Sequence, residues 1–249
     1  MRPAAVDVRG LRHAYRGRWL LDGLELRVPV GARLLLVSRP EEGASALLRV
    51  LAGLVRPSAG TVQLAGLSRA DDSAAGWARR VTYLAPEPGI YPWLSPSEAL
   101  DLAGQLAGYD RAERRRRIDV AIERFRLGSG VDRPISRGGT ALAQKTSLAA
   151  AMLTEPDVLL LDEPLRSVEP LERARLLRLP GPRSTVLLAS RFPASESGLI
   201  TQVALLRDGR LALHAPVADL ERAGLPPSLR GIEALADLRG SGLPAAASG

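Results

Sequence analysis

The 249-residue sequence contains no cysteine, one lysine, two histidines and two phenylalanines. Without cysteine there is no disulfide framework and no thiolate to act as nucleophile or metal ligand. The histidines, His13 and His214, lie far apart in the chain. That leaves no zinc cluster and little material for a Ser–His or Cys–His catalytic pair. No apolar run approaches the length that crosses a bilayer; stretches such as residues 34–37 and 158–161 are the size of strands. The N-terminus lacks the apolar segment of a secretory signal. The expectation is a protein on the cytoplasmic side, peripheral to the inner face of the membrane if a membrane-embedded partner recruits it.

Apolar residues make up 46% of the chain and charged residues 24%, enough to fill a core and to exclude disorder throughout. Lys145 is the sole lysine, so nearly all positive charge is arginine. With abundant Ala, Leu, Gly and Pro, this bias reads as a GC-rich coding background rather than a binding code. The net charge of +7 permits an anionic partner without identifying one.

Residues 4–8 and 24–30 alternate as half-buried strands do. Within residues 33–37, Arg-Leu-Leu-Leu-Val, a continuous apolar run follows the arginine and suits a buried parallel strand. A loop from Ser38 to Gly43 follows, and then apolar residues at 47, 48, 50, 51 and 54 give helical spacing, ended by Gly53 and Pro57. Strands are predicted at 61–64, 81–84, 158–161, 185–189 and 203–206, with a hairpin through Arg207-Asp208-Gly209-Arg210 to 211–213. Helices are predicted at 96–108, 110–126 and 142–153. The run Arg114 to Arg117 is expected mostly to face water. From Gly224 onward Pro, Ala, Gly and Ser dominate, which predicts a C-terminal tail over 224–249. The whole reads as an α/β core with a helical insertion.

Val158-Leu-Leu-Leu-Asp162-Glu163-Pro164 is the strongest local signal: a buried strand delivering two acids at its carboxyl end, where open α/β sheets place their ligands. In context, the chain from about residue 4 to residue 223 resembles the nucleotide-binding subunit of ABC transporters. The segment Leu35 to Val55 is similar to that family's Walker A region. The segment from Tyr83-Leu84 through Tyr91-Pro92-Trp93-Leu94-Ser95 is similar to its Q-loop. Ala149 to Pro164 is similar to its signature helix and Walker B, and Leu205 to Arg210 to the strand and turn that close its core. The resemblance implies a P-loop NTPase-like cassette: a mixed-sheet core with an antiparallel β portion and a helical subdomain over about residues 90–155, the single domain occupying 1–223.

Taken residue by residue, the resemblance is uneven. A P-loop uses G-x-x-x-x-G-K-[ST], glycines bringing backbone N–H groups to the phosphates and lysine neutralising them. Here the motif is Ser38-Arg39-Pro40-Glu41-Glu42-Gly43-Ala44-Ser45. Gly43 and the Mg²⁺-binding hydroxyl of Ser45 match, while Ala44 stands at the lysine position. Pro86 stands at the Q-loop glutamine, Arg191 at the switch histidine and Glu169 at the D-loop aspartate. The signature region, near Gly139, reads Arg137-Gly138-Gly139-Thr140 and is broken, with Ser136 its nearest serine. Three features match: Asp162 for Mg²⁺, Glu163 as the base that polarises water, and Tyr15 where an aromatic ring stacks on adenine.

What the resemblance implies is an ABC transporter ATP-binding-type subunit whose cofactors are ATP and Mg²⁺, with binding expected to be weak or absent. The expected partners are separate membrane permease subunits and a second, intact cassette in a heterodimer; no nucleic acid is expected. Two other readings remain: an active ATPase in which Arg39 or Arg191 replaces the missing cations, and a polyanion-binding cassette protein.

Overall fold

The computed structural model describes residues 3–39, 42–68, 74–128, 130–190 and 197–240. Two sheets organise the chain. The first is antiparallel, in the order β2-β1-β4-β5, from β1 (Ala4–Tyr15), β2 (Arg18–Pro29), β4 (Ala59–Leu64) and β5 (Leu67–Ser68). The second has the order β10-β9-β3-β8-β7-β6. Its strands are β3 (Arg33–Ser38), β6 (Val81–Leu84), β7 (Val158–Asp162), β8 (Thr185–Ala189), β9 (Gln202–Arg207) and β10 (Arg210–Pro216). All neighbours in it are parallel except β10, which returns antiparallel to β9 as the predicted hairpin.

The continuous apolar runs in β3, β7 and β8 follow from burial on both faces. Every residue of β7 and β8 is buried, as expected of a parallel sheet covered on both sides. Side chains alternate between two cores. Leu35, Val37, Leu159 and Leu161 enter one, together with Leu100, Phe125, Leu148 and Ile232 from helices. Leu34, Leu36, Val158 and Leu160 enter the other, with Leu47, Leu48 and Leu51 and the inner face of the antiparallel sheet. The period of two in each strand therefore fixes which layer it supports.

Helix α1 (Ala44–Leu51) follows β3 directly, and α2 (Ala74–Arg80) precedes β6. The helical insertion comprises α3 (Pro96–Leu106), α4 (Arg111–Phe125) and α5 (Gly139–Met152). Its first helix has a complete capping box: the Glu98 N–H donates to Ser95 Oγ, and the Ser95 N–H donates to the Glu98 carboxylate. After β7 comes α6 (Pro170–Leu177), and the chain ends in α7 (Ala218–Arg222) and α8 (Leu229–Gly240).

Several expectations shift. β1 and β2 run well past the predicted alternating stretches, because bulges absorb the irregular polar sequence between them. The register slips between Val8 and Leu11, around Gly10 at φ 56°. The segment expected as a tail instead supplies α8, whose Ile232, Leu235 and Ala236 are buried. That i, i+3, i+4 spacing packs one helical face against the sheet, while residues 241–249 lie outside the described part. The arginine run in α4 is also less solvated than expected. The Arg114 Nε–H donates to Asp101 at 2.8 Å, and Arg117 donates to Glu113 and to the Leu153 carbonyl at 2.6 and 2.8 Å, tying α4 to α3 and to the end of α5.

Candidate functional site

A cleft of about 1010 Å³ opens at the carboxyl ends of β3, β6, β7 and β8. Its floor is the start of α1; its walls are the β1–β2 turn, Pro86 after β6, and the turn after β7. This is the position at which open α/β sheets bind ligands. The structure brings Tyr15, Gly43, Ala44, Ser45, Pro86, Asp162 and Glu163 into this one cleft.

Gly43 is required by geometry. It sits at φ 100°, ψ 3° as the N-cap of α1, and a Cβ there would lie 2.4 Å from the Leu20 carbonyl oxygen. Among the described residues no side chain caps this helix, and its first residues, Ala44, Ser45 and Ala46, line the cleft. Ala44, next in line, contributes no charge. Ser45 Oγ donates to Asp162 Oδ1 at 3.0 Å. Asp162 is 1% exposed, and its other oxygen accepts from the Tyr83 hydroxyl at 3.0 Å. The Arg49 guanidinium lies beside the Tyr83 hydroxyl and interacts with it electrostatically. Burial, ahead of the nearby Asp162 charge, pushes the Tyr83 phenol above its usual range. A chain of polar groups thus runs Arg49–Tyr83–Asp162–Ser45, and it satisfies a carboxylate that would be costly to bury alone.

Glu163 adopts φ 46° and Leu165 φ 58°, both left-handed. The Glu163 N–H donates to the Ala189 carbonyl at 2.9 Å. Such backbone costs about 1–3 kcal/mol per residue and collects where the turn's shape matters. Farther along this turn, the Ser167 N–H donates to the buried Gln144 of α5 at 2.8 Å, and Arg166 reaches Glu87 at 2.7 Å, beside Pro86. Tyr15 is 57% exposed, with the Arg16 guanidinium 5.3 Å from its ring centroid.

Arg39 does not replace the lysine here. Its guanidinium donates to Glu233 of α8 at 3.0 and 3.1 Å, and its backbone N–H donates to the Glu42 carboxylate at 2.8 Å. Pro40, Glu41 and the switch position Arg191 lie outside the described residues. Glu169 stands at the N-cap position of α6, its side chain making no capping bond, and does not line the cleft. Ser136, Arg137, Gly138, Gly139 and Thr140 form an exposed run entering α5, away from the cleft. Sequence reasoning missed Arg49, Tyr83, Arg16, Arg18, His13 and Arg166, all but Tyr83 of which line the cleft. For Arg49 a signal existed: it stands one turn after Ser45 on the same helix face.

The donor chemistry fits Mg²⁺ at one point, where a hydroxyl and a carboxylate lie together as hard oxygen ligands. The fit to a polyphosphate is partial. The glycine turn and the uncapped helix start are present, while position 44 has no cation and Pro86 has no amide.

Residues 21–166 match the family model described as "ABC transporter". The chain is 33% identical over 246 residues to the aliphatic sulfonates import ATP-binding protein SsuB of Mycobacterium sp. (strain MCS), covering 96% of this chain and 92% of that protein. It is 28% identical over 223 residues to the daunorubicin/doxorubicin resistance ATP-binding protein DrrA of Streptomyces peucetius, covering 87% and 67%. A solved ATP-binding subunit of an ABC transporter superposes with a TM-score of 0.82 at 25% identity, covering 94% of this chain and 99% of that one.

Proposed function

This chain belongs to the ABC transporter family as an ATP-binding subunit, and we propose that it is a degenerate, ATPase-impaired cassette. In this reading it supports transport as the structural or regulatory partner of a competent cassette and of separate membrane permease subunits, held at the inner face of the plasma membrane. The observation that carries the reading is the mismatch inside one cleft. Ser45, Asp162 and Glu163 stand together, yet Ala44 and Pro86 occupy the same walls where a cation and an amide would contact the phosphates and the metal.

The magnitudes favour impairment. A charge-assisted hydrogen bond contributes roughly 1.5–3 kcal/mol, so the missing lysine weakens nucleotide binding by about 10- to 100-fold. Ser45 and Asp162 would hold Mg²⁺ entering with ATP, which supplies charge stabilisation to the phosphates. Glu163, set by its left-handed backbone, would orient water. With alanine at position 44, the N-terminus of α1 offers developing phosphate charge backbone N–H groups but no lysine cation.

The retained scaffold supports a role in assembly. Tyr91 and Trp93 stack with centroids 4.8 Å apart and are 57% and 66% exposed, on the segment leading into α3. An exposed aromatic pair of this kind suits burial against a partner, here a permease. The test is steady-state phosphate release from Mg-ATP by the purified chain. The reading expects turnover at background, unchanged by Glu163→Gln. Robust turnover abolished by that substitution would contradict it.

A further inference from the structure

Helix α8 is tied to the mouth of the cleft by charge. Its apolar side, Ile232, Leu235 and Ala236, packs into the core. Its first turn is seated by Gly231, where a Cβ would lie 2.0 Å from the Pro226 carbonyl oxygen. The helix also carries two acids one turn apart, Glu233 and Asp237. Glu233 Oε1 accepts from Arg39 Nε and Nη2 at 3.1 and 3.0 Å. Asp237 Oδ1 accepts from Arg207 Nη1 and Nη2 at 3.3 and 3.2 Å. Arg39 follows β3, and Arg207 ends β9, the neighbouring strand of the sheet. The two ion pairs therefore strap α8 across adjacent strand ends, and Arg39 lines the cleft. Residue 39 is also held from its own loop: its N–H donates to the Glu42 carboxylate at 2.8 Å, and the Glu42 N–H returns to the Arg39 carbonyl at 3.2 Å. Docked α8 thus fixes a residue at the entrance of the cleft and places a carboxylate beside it. The Arg39 side chain is 63% exposed, so its pair with Glu233 is strong enough to bias a position and weak enough to open.

We propose that α8 is an autoinhibitory latch on the cleft: docked, it pins Arg39 in an arrangement that disfavours an anionic ligand, and lifted, it releases that residue. Arg39 has a holding role here and makes no contact with the ligand. The coupling is reciprocal, so a ligand that enters the cleft loosens α8 by the same factor by which lifting α8 favours the ligand. The inference rests on the reading of the cleft as an impaired nucleotide site and adds a smaller, adjustable part to the effect of Ala44. It fails separately: turnover decides that reading, whereas the response of affinity to changes in α8 decides this one.

The experiment is calorimetric titration of Mg-ATP into the full chain, as wild type, Glu233→Gln, Asp237→Asn and Gly231→Ala, with hydrogen exchange of residues 229–240 followed in the presence and absence of millimolar Mg-ATP. Glu233→Gln removes the charge that holds Arg39. Asp237→Asn breaks the second strap at a residue that does not line the cleft. Gly231→Ala unseats the first turn of α8 against the Pro226 carbonyl and alters no charge. Each variant is expected to bind about two- to fivefold more tightly than wild type. In wild type, Mg-ATP is expected to speed exchange in α8, with a smaller effect in Glu233→Gln, where the latch is already open. Thermal melting verifies the fold of each variant; should Gly231→Ala fail to fold, Asp237→Asn carries the test away from the cleft. A gain confined to Glu233→Gln would assign the effect to one charge and overturn the latch. Unchanged or weaker binding in the variants, no binding by any of them at millimolar nucleotide, or α8 exchange left unchanged or slowed by Mg-ATP would overturn it as well.

Discussion

Ser45 and Asp162 lie 117 residues apart in the chain and meet through a 3.0 Å hydrogen bond from the serine hydroxyl to the carboxylate. The bond joins the first turn of α1 to the end of β7. Asp162 is almost fully buried, so its neighbours are a condition of folding as well as of any chemistry at the cleft.

Tyr83 donates to the other Asp162 oxygen at 3.0 Å. Tyr83→Phe keeps the ring and removes that donor, leaving a buried acceptor short of a partner. The expected loss is about 1–3 kcal/mol, read as a lower urea midpoint with an unchanged slope. An unaltered midpoint would mean that the Arg49–Tyr83–Asp162 chain contributes nothing to stability.

Glu172 of α6 pairs with Arg175 at 2.7 Å and with Lys145 of α5 at 3.5 Å. Its hydrogen bond with Arg175, ahead of the remaining charges, holds its carboxyl down to about 2, against an ordinary value of 4.5. A depressed carboxylate adds stability that is complete above the unfolded value and lost as pH falls through the folded one. Glu172→Gln should therefore cost about 1–2 kcal/mol at neutral pH, discounted for partial exposure. The difference from wild type should close between pH 4.5 and pH 2. A gap that persists at the acid end would assign the effect to packing rather than charge.

Ile232 of α8 is fully buried against the sheet that carries the site. Ile232→Ala should destabilise the chain by about 2–5 kcal/mol, measured by thermal or chemical denaturation. A neutral outcome would return this segment to the status of a tail.

The last case marks where sequence reasoning reached and where it stopped. Strands β3, β7 and β8 were legible because burial on both faces demands unbroken apolar runs. The helix predicted over 96–108 forms over Pro96–Leu106. In α8, Gly and Ala composition hid a three-residue apolar stripe, so a local bias masked a tertiary role. The site divides the same way. Gly43, Ser45, Asp162 and Glu163 stand in short motifs, and the structure gathers them in one cleft. Tyr83 and Arg49 act through contacts across the sheet, and Arg39 is claimed by Glu233, 194 residues away. Pairings at such separations follow from the strand order β3-β8-β7-β6, which no local pattern encodes.

The central claim is that the cleft is impaired as a nucleotide site chiefly because alanine stands at position 44. It is tested most directly by calorimetric titration of Mg-ATP into the wild-type chain beside Ala44→Lys. The account predicts weak binding by the wild type and an affinity about 10- to 100-fold higher in the lysine variant. Micromolar binding by the wild type, left unchanged by Ala44→Lys, would contradict it.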